Sequence, residues 1–577
     1  MITSLRVSIG QCSDKGRKPV QQDFHGARIP KEPLATLKGV CVALADGISS
    51  SEVSAEASEA AVVGFLEDYY CTSEAWSVKT AVERVASAAN SWLHAHTLRS
   101  PYRYDRDRGY VCTFSALVLK ASLAHVFHVG DTRIYQLHGE ELEQLTRDHR
   151  RTNSANESQL LRALGASAQL ELDYRAVAID KGSTFVLATD GVYEHVSAAQ
   201  IVQSIAQHAQ DLDAAARDIV RAAYDNGSSD NLTLQIVRVE TLPTQQASAL
   251  LHEDLSELPL PPLLEARARF DGYTIVREIH ASHRSHVYLA TDDDSHEQVV
   301  LKTPAIDLRA DPALLERFLM EEWIARRIDS PHVLKPRTQT RKRNFVYLVC
   351  EYIEGQTLAQ WMIDHPTPDI EVVRRLVEQV ALGLNAFHKL EMVHQDLRPE
   401  NIMLDASGTA KIIDFGAVQV AGIAELSPNA EPQLLGTAQY TAPEYFLGEP
   451  GSSSADLYSL GVIAYQLLSG RLPYGAEVAK SRTKQAQARL QYTSVLSHER
   501  EIPAWVDYAL RKAVHPDPFR RYRELSELTY DLRHPSRMFL RQTRLPWLER
   551  DPAKFWKAVS AILAVIIIVL LRKLATS

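Results

Sequence analysis

A nine-residue stretch, Val393-His-Gln-Asp-Leu-Arg-Pro-Glu-Asn401, constrains this chain more than any other segment. Asp396 can accept the proton of an attacking hydroxyl, and Asn401, five residues later, can hold a metal ion. Asp414-Phe-Gly416 follows an apolar run and supplies a second metal-holding carboxylate. One such motif can arise by chance, but Ala442-Pro-Glu444 follows as a third motif in order, and the ordered set indicates one site. The stretch therefore predicts a catalytic site with one base and two metal-holding side chains.

Size and charge limit what the rest of the chain can be. At 577 residues the chain is too long for one hydrophobic core, so two or three domains are expected. Its net charge of -9 argues against nucleic acid as a partner, because phosphate backbones bind basic surfaces. Five scattered cysteines form neither a disulfide framework nor a zinc-type spacing, and the amino terminus lacks the apolar core of a signal peptide. These features predict a cytoplasmic location for the folded domains.

The segment 270–535 resembles the eukaryotic-type Ser/Thr protein kinases, whose catalytic loop follows the pattern H-R-D-L-x-x-x-N. The resemblance implies a bilobal kinase fold, ATP as the phosphoryl donor and protein substrates. It makes Asp396 the catalytic base and Arg398 a cation near the transferring phosphoryl group. Asn401 and Asp414 would hold Mg²⁺.

The resemblance also identifies the groups that would hold the nucleotide. Lys302, which ends the apolar run Val299-Val-Leu, would contact the ATP phosphates. Its expected partner on the following helix is Glu321, because Glu322 lies on the opposite helical flank. The hinge at Glu351-Tyr-Ile353 would hold the adenine through backbone groups.

Two departures from the kinase pattern bear on activity. The glycine positions of the nucleotide loop are taken by His280, Ser282 and Ser285, which obstruct close backbone approach, although serine hydroxyls can still bind phosphate. Gln395 replaces the Arg that in the family pairs with a phosphorylated activation loop, so activity is not expected to require that phosphate. Gly436-Thr-Ala-Gln-Tyr440 resembles the substrate-docking segment. A second interpretation stays open, in which this segment is a pseudokinase that senses nucleotide or docks partners.

Aspartates lie at the ends of apolar runs throughout the first 240 residues. They are found in Asp46-Gly47, Gly130-Asp131, Asp190-Gly191 and Asp230-Asn231. Carboxylates that converge from strand ends can form oxygen-ligand sites for hard cations such as Mg²⁺ or Mn²⁺. The pattern therefore predicts a metal site.

This region, residues 1–240, resembles the metal-dependent type 2C (PPM-family) Ser/Thr protein phosphatases. The motifs occur in the family's order at Gly16–Asp23, Ala45–Gly47, Cys112–Ser115, Val129–Arg133, Leu145–His149, Ala188–Gly191 and Ser229–Asn231. The resemblance implies a β-sandwich flanked by helices, phosphoprotein substrates and two or three Mn²⁺ or Mg²⁺ ions. Asp46 would bridge two ions, and Asp190 and Asp230 would complete one of the two sites.

The remaining assignments in this region also rest on the resemblance. The Gly47 carbonyl would contribute to the other metal site, Asp23 would be a further ligand, and Asp131 would serve a third, weaker ion. Lys18, with Arg17 beside it, takes the place of the Arg that binds the substrate phosphate. Gln22 replaces an acidic residue, so one ion is expected to bind less tightly. The alternative is a decayed phosphatase fold that is kept for binding.

The segments outside the two domains carry their own predictions. Residues 241–269 contain four prolines and are predicted to be a flexible linker, with a short helix at Ala247–Leu255. The basic segment 536–554 precedes an apolar run, and residues 555–573 are predicted to form a single transmembrane helix. The heavier basic flank on the amino-terminal side places both domains in the cytoplasm, at the inner membrane. A core or amphipathic helix is the alternative.

Together these features predict a multidomain α+β protein that resembles a bacterial fusion of phosphatase and kinase. The predicted function is bifunctional signalling by opposing protein phosphorylation and dephosphorylation. A flexible linker of about 28 residues would have a reach of about 30 Å. We therefore expect that the phosphatase can act on its own kinase domain.

Overall fold

The first 243 residues form a sandwich of two five-stranded sheets with helices on its outer faces. The computed structural model describes residues 4–152, 158–243, 258–282, 284–305, 312–338, 341–427, 438–496, 501–542, 556–563 and 567. The predicted helix at Ala247–Leu255 and residues 436–437 of the predicted substrate-docking segment lie outside these ranges. The sandwich agrees with the fold expected from the sequence.

The strands of this first unit are β1 (Arg6–Asp14), β2 (Asp23–Arg28), β3 (Val40–Asp46), β4 (Phe114–Lys120), β5 (Leu123–Val129), β6 (Arg133–His138), β7 (Glu141–Gln144), β8 (Arg150–Thr152), β9 (Ser158–Leu160), β10 (Asp173–Ala178), β11 (Thr184–Ala188) and β12 (Leu232–Thr241). Its helices are α1 (Leu34–Lys38), α2 (Ser54–Cys71), α3 (Val78–Arg99), α4 (Asp190–Tyr193), α5 (Ala198–Gln207) and α6 (Leu212–Asp225). The sheet orders are β1-β12-β11-β6-β7 and β10-β5-β4-β3-β2.

Strand β3 is apolar at nearly every position because both of its faces are covered. Cys41, Ala43 and Ala45 pack in the layer that contains helices α2 and α3. Val42 and Leu44 pack in the layer between the two sheets. A strand that is buried on both faces shows no alternation of polar and apolar residues, as in this sequence.

The second unit has a small lobe built on one antiparallel sheet and a larger, mainly helical lobe. The sheet contains β13 (Arg269–Phe270), β14 (Tyr273–Ala281), β15 (Ser285–Asp292), β16 (Gln298–Pro304) and β17 (Leu348–Glu351) in that order. Helix α7 (Pro312–Ala325) follows β16 and completes the small lobe.

The large lobe is built around helix α11, which is buried along most of its length. Its helices are α8 (Leu358–Asp364), α9 (Ile370–His388), α10 (Ala421–Ala424), α11 (Ser453–Ser469), α12 (Lys484–Gln487), α13 (Ala504–Ala513), α14 (Leu525–Arg533) and α15 (Arg537–Gln542). Its strands are β18 (Gly355–Thr357), β19 (Met392–Val393), β20 (Ile402–Asp405), β21 (Ala410–Ile412) and β22 (Gln419–Val420). Short 3₁₀ helices occur at Arg106–Arg108 in the first unit and at Pro399–Asn401, Pro443–Leu447, Val478–Lys480 and Pro518–Arg520 in the large lobe.

The end of the predicted linker is packed rather than free. Leu260 is buried in a cluster with Phe318 and Leu319 of α7. The amide of Val346 donates a 3.1 Å hydrogen bond to the carbonyl of Pro259. The apolar side chains between the linker prolines therefore extend the small-lobe core, and fewer residues remain to act as a tether than the composition suggested.

The carboxy-terminal segment is described only in part. Helix α15 lies where the basic juxtamembrane segment was predicted to begin, and the Phe539 ring packs 5.7 Å from the ring of Tyr508. Of the predicted membrane helix 555–573, residues 556–563 and 567 are helical and the others lie outside the described ranges. Among the residues that the structure describes, no helix has the length and apolar character needed to cross a bilayer.

Candidate active sites

Antiparallel pairing of β2 with β3 places Asp23 directly opposite Asp46. Asp23 Oδ2 accepts a 3.0 Å hydrogen bond from Thr189 Oγ1, whereas no donor among the described residues reaches the buried Oδ1. Burial raises the pKa of Asp23 to about 7, against the lowering effect of its hydroxyl hydrogen bonds. A buried carboxylate oxygen without a donor is suited to a metal ion, because nothing else compensates its lost hydration.

The backbone around Asp46 is fixed from both sides. Its amide donates to Thr113 Oγ1 at 2.8 Å, and its carbonyl accepts from the Thr113 amide at 2.8 Å. A Cβ at Gly47 would lie 2.8 Å from Ser54 Cβ, so only glycine leaves this close approach open. Burial, followed by the charges of Asp23 and other aspartates, raises the pKa of Asp46 well above its usual value.

Asp190 and Asp230 reach the same region from the other sheet. A Cβ at Gly191 would lie 2.0 Å from the Asn231 carbonyl oxygen, so this glycine lets the two aspartate-bearing segments approach. Burial and the charge of Asp131 raise the pKa of Asp190 to about 6. Crowded carboxylates of this kind favour a divalent cation, since the ion removes their mutual repulsion.

Arg150, which the sequence analysis did not single out, lies among these carboxylates. Its guanidinium hydrogen bonds with Asp131 and with Asp190, and its Nη1 lies 2.8 Å from Glu194 Oε1. Within the described part of the chain, no three acidic, histidine or cysteine side chains already converge on one point as ready metal ligands. The donor set fits Mg²⁺ or Mn²⁺ in chemistry, and Arg150 must move away before Asp131 and Asp190 can act as ligands.

The two candidate phosphate-binding residues differ in position. Lys18 Nζ lies 3.1 Å from Asp230 Oδ1 and 2.8 Å from Ser49 Oγ, at the edge of the carboxylate cluster. Arg17 instead donates to the carbonyls of Ser228 and Tyr224 and stacks on the Tyr224 ring. The structure therefore brings Lys18 to the site and holds Arg17 away from it.

Gln22 and Asn231 organise the loop that carries Lys18. Gln22 Nε2 donates to Ser51 O and Ser54 Oγ at 2.8 and 2.7 Å. Asn231 Oδ1 accepts from the Gln22 amide, and Asn231 Nδ2 donates to two carbonyls of the same loop. The side-chain nitrogen of Gln22 is thus held by Ser54 at the start of helix α2 and by Ser51 just before it. Of the side-chain amide, only Oε1 could face an ion.

In the second unit the residues expected to hold the nucleotide lie together. Lys302 Nζ lies 2.6 Å from Glu321 Oε2 and 3.2 Å from Asp414 Oδ1. Burial acts to raise the pKa of Asp414, but the charge of Lys302 and the Gly416 amide bring it to about 2. The charge of Lys302 thus favours the ionised form of Asp414, which is the form that a metal ligand requires.

The neighbouring Glu322 has a different role. Its carboxylate receives two hydrogen bonds from Arg343, at 2.8 and 2.6 Å, and a third from Arg326. It therefore points away from Lys302, as its position on the opposite helical flank predicted.

Asp396 and Asn401 are joined within the catalytic loop. Asn401 Nδ2 donates to the Asp396 carbonyl at 2.9 Å and lies 3.4 Å from its Oδ2. Arg398 Nε donates to Glu400 Oε2 at 2.9 Å. Asp456 on helix α11 accepts from the loop amides of His394 and Gln395 at 2.8 and 3.0 Å and so holds the loop in place.

The hydroxyl of Ser282 is engaged with the backbone of the nucleotide loop. Ser282 Oγ accepts from the amides of Arg284 and Ser285 and donates to the Ser285 carbonyl. Ser285 is 8% exposed. The hydroxyl of Ser282 therefore closes the tight turn between β14 and β15, which limits its availability to a phosphate.

Two protein-family models match the chain. The model described as "Protein phosphatase 2C" matches residues 16–233, and the model described as "Protein kinase domain" matches residues 273–531. Together these segments contain every candidate site residue described above.

Curated proteins similar to this chain are named as serine/threonine-protein kinases. Serine/threonine-protein kinase PrkC of Bacillus subtilis is 28% identical over 262 residues, covering 45% of this chain and 40% of the relative. A kinase named PknA from Corynebacterium glutamicum is 31% identical over 253 residues, covering 42% and 52%. The chain thus spans about half or less of the length of these relatives.

Solved structures resemble each unit separately. The catalytic domain of the phosphatase PstP, solved with two manganese ions, is 21% identical and covers 41% of this chain and all of that one, with a TM-score of 0.34. The PknI kinase domain of Mycobacterium tuberculosis is 25% identical and covers 48% of this chain and all of that one, with a TM-score of 0.37.

Proposed function

We propose that this chain, which joins a domain of the protein phosphatase 2C family to a protein kinase domain, is a bifunctional signalling enzyme. It adds phosphate to serine or threonine residues of proteins with one domain and removes it with the other. The observation that carries the kinase half is the 2.6 Å contact between Lys302 and Glu321, with Asp414 beside it. A module that only binds partners has no need of this arrangement together with the base Asp396.

The kinase transfers the terminal phosphoryl group of ATP to a substrate hydroxyl. Lys302 binds the phosphates and is held in place by Glu321, while Asp396 accepts the hydroxyl proton as the new bond forms. Asn401 and Asp414 would hold Mg²⁺, which would supply positive charge against the phosphates. Arg398 places a further positive charge on the substrate side of the loop.

The phosphatase hydrolyses phosphoserine or phosphothreonine with a water molecule. Asp46, Asp190 and Asp230 would hold the metal ions, together with Asp23 and the Gly47 carbonyl. Mn²⁺ or Mg²⁺ held there would supply a water of lowered pKa for the attack on phosphorus. Lys18 attracts the substrate phosphate as a point charge.

A second candidate function, that of a pseudokinase regulating the phosphatase, is favoured by one observation. Ser282 uses its hydroxyl to close its own turn, in a loop without the glycines that let a backbone approach phosphates. Such a loop supports weak nucleotide binding. The pseudokinase binds ATP without transferring phosphate.

The test uses the full chain in detergent and measures two rates. The first is ADP release with ATP, Mg²⁺ and a basic protein substrate. The second is phosphate release from a phosphopeptide with Mn²⁺. Activity in both assays supports the bifunctional enzyme. ATP binding without ADP release selects the pseudokinase, and absence of phosphate release rejects the phosphatase.

In the same proposal, residues 555–573 anchor the chain in the inner membrane with both domains in the cytoplasm. The apolar run and its basic amino-terminal flank support this placement. Deleting the chain from Lys554 onward moves the protein from the membrane fraction to the soluble fraction. Recovery of the undeleted, full-length protein in the soluble fraction without detergent rejects the anchor.

The kinase domain itself is a proposed substrate of the phosphatase. Asp46→Asn then raises the phosphate carried by the purified full-length protein after incubation with ATP, measured by intact mass. Equal phosphate on wild type and Asp46→Asn rejects self-dephosphorylation, and both domains then act on external proteins.

A further inference from the structure

The connection between α2 and α3 of the phosphatase domain is inserted into the kinase domain. Ala75, in this connection, is fully buried and belongs to the hydrophobic core of the kinase large lobe. The amide of Gly422 donates a 2.9 Å hydrogen bond to the Ala75 carbonyl. A Cβ at Gly422 would lie 2.4 Å from the Glu74 carbonyl oxygen. The two domains therefore fit each other more closely than a chance contact between surfaces would.

Two glutamates of the kinase bind the first turn of helix α3. Glu391 Oε2 accepts from the amide and hydroxyl of Ser77 at 2.8 and 2.9 Å, and its Oε1 accepts from Thr80 Oγ1 at 2.7 Å. Glu425 accepts from the Val78 amide at 3.0 Å. The first amides of a helix have no partner within it and carry partial positive charge. Kinase carboxylates thus satisfy donors that belong to the phosphatase.

A buried ion pair crosses the same interface. Lys120, at the end of β4, is 1% exposed, and its Nζ lies 3.0 Å from Glu425 Oε2 and 2.6 Å from the Gly422 carbonyl. Burial lowers the pKa of Lys120 and raises that of Glu425, and each partner opposes the shift of the other. Removing one member of such a pair leaves an uncompensated buried charge. The pair therefore couples the two domains strongly.

The kinase side of the interface lies next to the elements that hold the catalytic groups. Glu391 immediately precedes β19, which leads into the catalytic loop. The amide of Ala421 donates to the Glu391 carbonyl at 3.1 Å, and β19 pairs with β22. Gly422 and Glu425 lie in the segment that follows Asp414-Phe-Gly416. The contact between the two domains, through Glu391, Gly422 and Glu425, thus fixes the beginning of the activation segment against the catalytic loop.

The interface also reaches the helix that carries Glu321. Arg327, just after α7, pairs with Glu74 of the phosphatase domain and stacks on Trp323 at 3.7 Å. Trp323 lies on α7, two residues after Glu321. The phosphatase therefore contacts a segment that fixes the position of the partner of Lys302.

The phosphatase site is far from this interface. The Thr113 amide is bonded to the Asp46 carbonyl at one end of β4, and Lys120 lies at the other end. At about 3.3 Å per residue, seven residues of strand span about 23 Å. Docking therefore leaves the metal site free.

We propose that the docked phosphatase domain is an intramolecular activator of the kinase. It holds the activation segment and helix α7 in the arrangement that places Asp414 and Glu321 at Lys302. This role rests on the proposed kinase function. It replaces the activation-loop phosphate that Gln395 cannot bind by charge. By linkage, a nucleotide that favours the same arrangement strengthens the docking.

The test combines a rate with a direct measure of docking in the full chain. ADP release with a basic protein substrate reports the kinase, and hydrogen exchange of the Ser77 and Val78 amides reports the contact. The variants are Glu425→Gln and Lys120→Met, with Ser77→Ala as a milder change. Glu477→Gln, an exposed carboxylate of the same domain paired with Lys480, is the matched control. Hydrolysis of an aryl phosphate with Mn²⁺ checks that the first domain remains folded.

We expect Glu425→Gln and Lys120→Met each to lower ADP release at least tenfold and to speed exchange at both amides. Ser77→Ala should lower the rate severalfold, and Glu477→Gln should change neither quantity. Combining Lys120→Met with Glu425→Gln should reduce the rate by less than the product of the single effects, because the pair acts as a unit. Aryl phosphate hydrolysis should stay at the wild-type rate.

Two results would overturn the inference. One is fast amide exchange with an unchanged rate of ADP release, which would make the contact a tether only. The other is a lower rate with unchanged exchange, which would place the effect within the kinase alone. A wild-type chain that releases no ADP rejects the proposed kinase function instead, and the exchange data then report the docking independently.

Discussion

Gln395 Nε2 donates a 2.8 Å hydrogen bond to Gln419 Oε1 and so joins the catalytic loop to strand β22. The position is occupied in similar kinases by an arginine that binds an activation-loop phosphate. Here two neutral amides make the connection without any phosphate. Gln395 also has φ of +66°, a backbone conformation that costs energy for a residue with a side chain. The conformation is held by the bonds of its amide to Asp456 and of its side chain to Gln419.

Removal of the hydrogen bond made by the Gln395 side chain should therefore affect kinase activity more than removal of the Ser427 hydroxyl. Gln395→Leu should lower the rate of phosphoryl transfer by up to about tenfold, since one hydrogen bond contributes about 0.5–1.5 kcal/mol. Ser427→Ala should leave the rate unchanged, because no charge at residue 395 awaits a phosphate. Initial rates of ADP release compare the two variants. A tenfold loss in Ser427→Ala would contradict the expectation that the kinase needs no phosphate on its activation segment.

Lys302→Met and Asp396→Asn should each lower phosphoryl transfer by about 100- to 1000-fold or more, because positioned charges supply most of the acceleration. The two should differ in nucleotide affinity. Lys302→Met removes a phosphate contact and weakens ATP binding, whereas Asp396→Asn retains it. Calorimetric ATP binding beside ADP release tests both, and a retained rate in Asp396→Asn would exclude it as the base.

Asp46→Asn and Asp230→Asn should eliminate Mn²⁺-dependent hydrolysis of a phosphopeptide, since each removes a charged ligand from the metal site. Asp213→Asn is the matched control, because Asp213 receives the Gln11 amide on the outer face of the same domain. The variants should also bind fewer Mn²⁺ ions by calorimetry. Wild-type metal stoichiometry in Asp46→Asn would remove this residue from the site.

Arg150→Gln should tighten Mn²⁺ binding severalfold. Arg150 now pairs with Asp131 and Asp190, and a metal ion must displace it to reach the same oxygens. Arg162→Gln is the control, because Arg162 pairs with Asp173 and Glu171 at another part of the domain. Direct calorimetric titration of Mn²⁺ gives the comparison. Unchanged or weaker binding in Arg150→Gln would mean that the guanidinium does not compete with the ion.

Arg521→Met should destabilise the kinase domain by about 3–5 kcal/mol, because it leaves the buried carboxylate of Glu444 without its partner. The pair is bidentate, with distances of 2.8 and 2.6 Å, and neither side chain is more than 4% exposed. Lys484→Met, which removes an exposed partner of Glu449, should leave the unfolding midpoint unchanged. Urea unfolding followed in the kinase transition tests the difference. Equal midpoints for both variants would show that burial of the pair has no such effect.

The sequence was informative where a motif has a fixed spacing or a strand has a continuous apolar face. The family matches confirm that phosphatase and kinase domains are joined in one chain. The apolar run that ends at Asp46 forms β3, and both of its faces are covered. The kinase resemblance indicated a partner for Lys302 on this helix, and helical periodicity selected Glu321 over Glu322.

Contacts between distant charges could not be read in the same way. Lys120 and Glu425 are 305 residues apart, and each on its own has the character of an ordinary surface charge. Arg150 follows a recognised motif, but its pairing with Asp131 and Asp190 arises only when β8 folds beside α4. The sequence showed only that Ser282 occupies a glycine position of the nucleotide loop. In the structure its hydroxyl accepts from the Arg284 amide and closes the turn. Pairings of this kind depend on tertiary structure, and local patterns carry no information about them.

The presence of both segments on one chain, which pack together at Ala75, fixes more than their geometry. One phosphatase accompanies each kinase whatever amount of protein the cell makes. For a substrate that both domains modify below saturation, both rates are proportional to the same protein concentration, which cancels from the steady-state phosphorylated fraction. In the proposed bifunctional enzyme, that fraction is then set by ATP, by divalent metal and by the kcat/KM values of the two domains. A response built in this way is insensitive to fluctuations in gene expression.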